Sequence, residues 1–220
     1  MELRTSTIRR TYRPTIAIKM LYRLFDIAVA LVGCAVALIL ALIVKIAYVR
    51  NGDKDPIIFT QERIGLNGNL FKIYKFRTMV PNADQILFDL MESDEEIRKE
   101  YEKNKKLAND PRITKLGHKL RKTSLDEFPQ FFNVLKGDMT IVGPRPYLPR
   151  EANDMGSTYD VIVQCKPAIT GPWQVGGRSD VDFEERCQID INYIHEKTIK
   201  TDIKIFIQTI TSVLKMDGAK

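Results

Sequence analysis

Asp126 and Glu127 stand side by side at the head of "DEFPQFFNVLKGDMTIVGPRP" and are the residues of this chain best suited to chemistry. Adjacent carboxylates offer hard oxygen ligands, and Mg2+ usually takes one or two of these together with a substrate's phosphates. A carboxylate can also attack phosphorus to give an aspartyl-phosphate linkage. Such an attack brings anion to anion, so positive charge must stand nearby. Arg121 precedes the pair, and Arg145 sits in Gly143-Pro144-Arg145-Pro146. Two prolines restrict that turn, which lowers the entropy lost when its guanidinium grips a phosphate bidentately.

Each feature also has a plainer reading. Ser124-Leu125-Asp126-Glu127 fits the S-x-x-E capping box, in which acids merely favour a helix N-terminus. With Ser124 as N-cap, however, Pro129 falls inside the first turns, where its ring and missing N–H do damage. A helix that starts nearer Phe128 frees both carboxylates. The Gly-Pro-Arg-Pro turn could be a rigid connector with a solvated arginine. "PAITGPWQVGGR" (Pro167–Arg178) contains the only tryptophan and reads either as a cover over a nucleotide or sugar or as a buried turn anchored by Trp173. The standard phosphate-cradling loops, GxxxxGK[ST] and GxGxxG, are absent.

The elements that must position these groups read as mainly α-helical with one small β-hairpin. From Ile27 to Val44 every residue is apolar or Gly, about the minimum for a membrane helix. Basic residues flank it on both sides: Arg4, Arg9, Arg10, Arg13, Lys19 and Arg23 before, Lys45, Arg50 and Lys54 after. Positive charge marks the cytoplasmic side, so the segment is either a re-entrant helix or a simple spanning anchor. The chain divides into a basic arm (1–23), a membrane helix (24–50) and a globular domain (51–220). Strands are expected over Pro56–Arg63 and Leu70–Arg77 around Asn67-Gly68, then one solvated helix over 82–106. Arg112, Lys115, Lys119 and Lys122 are expected on one helical face, opposite Ile113, Leu116 and Leu120. Two apolar stripes follow: Phe128, Phe131, Phe132 and Leu135, and Ile203, Phe206, Ile207, Ile210, Val213 and Leu214. Each is either core or the buried face of an interfacial amphipathic helix.

The formal charge of +6 favours anionic partners. Nucleic acid is not expected, because the aromatic residues gather on an apolar stripe rather than beside a basic groove. Cys34, Cys165 and Cys187 are scattered, and His118 and His195 are the only histidines. This excludes a disulfide framework and a zinc site and fits a reducing compartment.

In order along the chain, "LFDIAVALVG", "FTQERIGLNG", "FKIYKFRTMV", "DPRITKLGHKLRKTSLDEFPQFFNVLKGDMTIVGPRP" and "ITGPWQVGGR" resemble the bacterial sugar transferases. These are the monotopic polyprenyl-phosphate hexose-1-phosphate transferases, and the likeness runs from about Lys19 to Val213. It implies attack by Asp126 on the β-phosphate of a UDP-hexose, release of UMP, and passage of the sugar phosphate to undecaprenyl phosphate. The family's catalytic dyad falls on Asp126 and Glu127, with Mg2+ as cofactor at both. Its phosphate-binding arginines fall on Arg121 and Arg145, and a further site acid falls on Asp190. The implied setting is the cytoplasmic face of the bacterial inner membrane, at the start of a surface glycan, with homo-oligomerisation left open. The alternative is a membrane-tethered nucleotide-sugar-binding or scaffold protein without turnover.

The chain departs from the family pattern in three places. Members carry a proline midway through the hydrophobic segment, where this chain has Leu38-Ile39, and none occurs between Pro14 and Pro56. Ala168 stands where Gly is usual, and Pro172 where Leu or Trp is commoner.

Overall fold

The computed structural model describes residues 14–176 and 181–215, together with every side chain among them except that of Leu214. The four arginines of the basic arm before Pro14 and the Gly177-Arg178 end of the glycine-rich segment lie outside the described residues.

With no proline to interrupt it, the apolar segment forms one continuous helix, α1 (Ile16–Arg50). The Thr15 hydroxyl caps its N-terminus by accepting from Ile18 N, and Gly52 follows its C-terminus at a φ of 77°. The last turns of the basic arm are therefore helical, and the chain does not bend at Leu38-Ile39. One narrow stripe of α1 is buried: Asp26, Ala30, Gly33, Cys34, Ala37, Val44 and Tyr48. Small residues there let a neighbour approach closely. A Cβ on Gly33 would lie 2.3 Å from the Phe131 ring. Leu31, Val32, Leu38, Ile39, Leu42 and Ile43 on the remaining surface are exposed. Only 28% of the most apolar window is buried, so α1 is not a core helix of the domain.

Strands β1 (Ile58–Ile64) and β2 (Leu70–Phe76) form the expected antiparallel hairpin, with Ile58 opposite Phe76 and Ile64 opposite Leu70. Its turn places Asn67 and Gly68 at positive φ, the backbone that Asn-Gly favours. Ile73 and Phe76, on opposite faces of the strand, are almost wholly buried, the first in the main core and the second in a smaller one.

The charged stretch after the hairpin is two helices rather than one, α2 (Ala83–Ser93) and α3 (Glu95–Asn104). Asp94 breaks them apart: its backbone is extended and its carboxylate accepts from Glu96 N and Ile97 N. A side chain that competes so well for backbone donors favours a cap over a helix interior. The next helix, α4 (Lys115–Lys122), is capped by Thr114. Arg112 therefore precedes it and does not share its cationic face. Instead Arg112 is buried in a fork-to-fork pair with Asp110, at 2.6 and 2.8 Å. Gly117 lets α4 cross the chain at Thr78, whose carbonyl oxygen would sit 1.9 Å from an added Cβ.

A one-turn 3-10 helix, Leu125–Glu127, leads into α5 (Gln130–Lys136), with Pro129 at the N-cap. Ser124 makes no capping bond, so the capping-box reading is overturned and Pro129 is accommodated at the helix entry. Phe131 and Leu135 pack into the main core and Phe128 into a smaller one beside Val44 and Tyr48. This first apolar stripe is thus mostly core, with Phe132 exposed.

A second strand pair that the sequence did not announce follows. β3 (Thr140–Val142) lies parallel to β4 (Ala168–Thr170), and each strand runs straight into a site segment. Between them lie two single-turn helices, α6 (Ala152–Met155) and α7 (Tyr159–Ile162). After β4 come α8 (Pro172–Gly176), α9 (Phe183–Glu196) and α10 (Ile199–Lys215). In α10, Ile205 is buried while Ile203, Ile207 and Ile210 are exposed. Its Phe206 meets Phe25 of α1 edge to face at 5.3 Å, so the exposed apolar surfaces of α1 and α10 adjoin.

Candidate active site

The 3-10 turn after α4 puts Asp126 and Glu127 at the junction of α4, α5 and β2. Asp126 is buried, 8% exposed, with no cation bonded directly to it. Glu127 instead receives the Lys75 ammonium at 2.6 Å. Burial pushes the Asp126 carboxyl up to about 6, with Glu127 adding to the rise and Lys75 and Arg121 opposing it. Burial acts in the same sense on Glu127. There the Lys75 ion pair and hydrogen bond, together with Arg145 and Gln130, outweigh it and hold the group below its ordinary value. Two chemically similar groups thus have different characters: Glu127 is the settled anion, and Asp126 is a carboxylate short of partners.

Each arginine named from the sequence acts electrostatically on one member of this pair. Arg121, on the last turn of α4, donates through Nε to the Thr78 hydroxyl at 3.0 Å, and its charge lowers Asp126. Arg145 lowers Glu127, and its guanidinium lies 5.3 Å from the centre of the Trp173 ring. Arg186 approaches the same ring at 5.6 Å. The Gly-Pro-Arg-Pro turn is built in rather than a loose connector. Arg63 donates to Pro146 O at 2.9 Å from beneath, and Ala168 N bonds back to Pro144 O. The carbonyl of Gly143 lies so close to Gly171 that a Cβ there would come within 2.1 Å of it.

Asp190 is placed differently from the arginines. It is fully buried, and one of its oxygens accepts from Arg145 N and the Tyr147 hydroxyl, both at 3.0 Å. Burial pushes its carboxyl up to about 7. The structure brings it to the site only through Arg145, as the support under the turn.

Lys75 is the site residue that the sequence reading missed. Side chains on a strand alternate between faces, so Lys75 shares a face with buried Ile73. A lysine at an inward strand position signals a buried partner, and that signal was readable. Gln130, Thr78 and Arg186 carried no comparable signal.

Among the described residues, no group of three or more His, Cys, Asp or Glu side chains is placed to hold a metal. The described residues therefore provide no closed metal cage. The Asp126-Glu127 pair suits a cation that completes its shell with substrate phosphates, which is how Mg2+ binds.

The raised Asp126 carboxyl has a consequence for stability. Its proton is held more tightly in the folded chain than in the unfolded one, so ionisation costs stability as the pH climbs from about 4 through about 6. Asp126→Asn is therefore expected to raise the thermal midpoint of the metal-free protein near neutral pH. The gain should shrink to nothing below about pH 3, where both states are protonated. Thermal melts across that range read it directly.

Residues 17–216 match the family described as bacterial sugar transferase. The undecaprenyl-phosphate galactose phosphotransferase of Salmonella typhimurium is 44% identical over 201 residues, covering 91% of this chain and 42% of the relative. The UDP-glucose:undecaprenyl-phosphate glucose-1-phosphate transferase of Escherichia coli is 38% identical over 170 residues, 74% of this chain and 33% of the relative. Exopolysaccharide production protein ExoY of Sinorhizobium fredii is 36% identical over 197 residues, covering 90% of this chain and 87% of the relative. The chain thus spans less than half the length of the first two and most of the third.

Proposed function

From the premise that this chain belongs to the bacterial sugar transferase family, we propose that it moves a hexose 1-phosphate from a UDP-hexose to undecaprenyl phosphate through Asp126. The observation that carries this reading is the unequal dyad. A buried carboxylate with no cation bonded to it stands beside one neutralised by Lys75, with Arg121 acting on the first and Arg145 on the second.

In the first half-reaction an Asp126 oxygen bonds to the β-phosphorus of the donor and the bond from that phosphorus to the bridging oxygen breaks. UMP leaves with the electron pair. In the second, an oxygen of the acceptor phosphate bonds to the same phosphorus and the Asp126 carboxylate departs, regenerating the enzyme. Arg145, rigid in its turn, and Arg121, steadied by Thr78, hold the phosphoryl oxygens and offset their charge. Lys75 keeps Glu127 ionised and oriented. Asp126 and Glu127 would hold Mg2+, which neutralises phosphate charge when bound. A buried site at this junction also limits access by water, the competing nucleophile.

The membrane placement follows from α1. Its buried stripe runs from Asp26 to Tyr48, a rise of about 33 Å, as much as the hydrocarbon core of roughly 30 Å. A helix crossing the bilayer would drag α5, with Lys136 and Gln130, into hydrocarbon. We therefore place α1 along one leaflet beneath the domain, with α10 beside it and both ends of α1 on the cytoplasmic face. A lipid acceptor then reaches Asp126 without leaving its leaflet.

A panel of UDP-hexoses, galactose and glucose first, tests the reading by magnesium-dependent UMP release from the purified membrane protein. Release with at least one donor is expected. No release from any of them would overturn it.

A further inference from the structure

Helix α1 contributes no group to the reacting phosphates, yet its first turns grip both segments that do. Asp26, 6% exposed, accepts from the Thr140 hydroxyl at 2.9 Å and from Ile141 N at 3.0 Å. One turn earlier, Arg23 donates to Val134 O and Leu135 O, both at 2.7 Å. Those carbonyls end α5, the helix that follows the dyad, and Thr140 and Ile141 begin β3, the strand that feeds the Arg145 turn.

From β3 a hydrogen-bond ladder crosses to β4: Thr140 N to Pro167 O, Gly143 N to Thr170 O, and Ala168 N back to Pro144 O. Trp173, against which the Arg145 guanidinium rests, stands three residues beyond β4. Asp26 thus anchors the near end of a ladder whose far end carries Arg145 and its aromatic rest. The carboxylate suits the task because it only accepts, and both groups it meets are donors. An amide in its place would drop the charge and turn an N–H toward the Thr140 hydroxyl, which must then accept rather than donate.

We propose that Asp26 and Arg23 are positioning residues for the phosphate site, so that the membrane helix sets the geometry of Arg145 and the dyad as well as holding the protein on the lipid. The activity readout rests on the transferase reading of this site. A second readout does not. Trp173 is the only tryptophan, so intrinsic fluorescence quenching by iodide reports the Arg145–Trp173 stack whether or not the protein turns over.

The test uses full-length protein in lipid nanodiscs, as wild type, Asp26→Asn, Thr140→Val, Arg145→Lys and the double variant Asp26→Asn with Arg145→Lys. Thr140→Val keeps the carboxylate and its bond to Ile141, so it serves if Asp26→Asn folds poorly. The half-reaction with UDP-hexose, magnesium and no acceptor is expected to slow about tenfold or more in Asp26→Asn, with donor KM changed less than about threefold. Thr140→Val should slow it less, and iodide should quench Trp173 more strongly in both. On an Arg145→Lys background, Asp26→Asn should cost less than about threefold, because residues acting through one group are not additive. Full multiplication of the two effects would overturn the proposal by marking Asp26 as a merely structural group. Wild-type quenching in both Asp26→Asn and Thr140→Val would overturn it as well. If the wild type releases no UMP, the transferase reading fails, and quenching alone decides the latch.

Discussion

Asp126→Asn is expected to stop UMP release, with a loss on the order of 10⁴-fold or more, as for removal of other covalent nucleophiles. The carboxamide is close to the carboxylate in shape but is a poor nucleophile toward phosphorus. The same change removes an ionised group from a site that penalises it, so the variant should fold at least as well as the wild type. A dead enzyme with a raised thermal midpoint separates lost chemistry from lost structure. Glu127→Gln should behave differently: it strands the Lys75 ammonium, which now bonds Glu127 at 2.6 Å, so it should lower activity and stability together. Single-turnover assays beside thermal melts distinguish the two.

The second large effect is expected at Arg145. Arg145→Lys keeps the charge but loses the planar fork and its packing on Trp173. The first half-reaction should slow roughly 10²-fold, the scale on which loss of one preorganised donor to a transferring group is felt. Lysine also has the longer search for a productive rotamer, so kcat should fall more than KM rises. Steady-state kinetics with the preferred donor checks the split. An equal loss for Arg145→Lys and Arg145→Ala would confirm that geometry matters beyond charge. A fully active Arg145→Lys would reduce Arg145 to a point charge.

Much of this was legible in the sequence because the signals are local. The Asn-Gly hairpin, the proline-bound turn at Arg145 and the unbroken apolar run all show within a few residues. The carboxylate pair was legible for the same reason, and Pro129 told against a helix beginning at Ser124. What escaped notice depends on partners far away along the chain. Arg112 fitted a cationic helical face until buried Asp110 and the Thr114 cap took it out of the helix. The 82–106 stretch looked continuous because Asp94 is unremarkable until its carboxylate is seen capping α3. The β3–β4 pair is too short for periodicity to show. The Asp26 latch joins residues more than a hundred positions apart, and nothing near Asp26 announces Thr140.

The two faces of α10 show where an open sequence reading closes. Ile205 enters the core while Ile203, Ile207 and Ile210 stay exposed, so the stripe is shared between packing and an outward apolar surface. Phe206 of α10 meets Phe25 of α1, so the helix that carries this surface adjoins the long apolar helix. The α10 stripe therefore keeps an exposed apolar face, whereas Phe131 of the earlier stripe packs into the Gly33 notch.

The central step is a phosphosugar briefly bound to Asp126, and peptide mass spectrometry tests it most directly. Purified protein would be mixed with magnesium and its UDP-hexose without acceptor, quenched in acid and digested. The account predicts a hexose-phosphate adduct on the Asp126 peptide that disappears when undecaprenyl phosphate is added. UMP release that requires acceptor and leaves Asp126 unmodified throughout would contradict it.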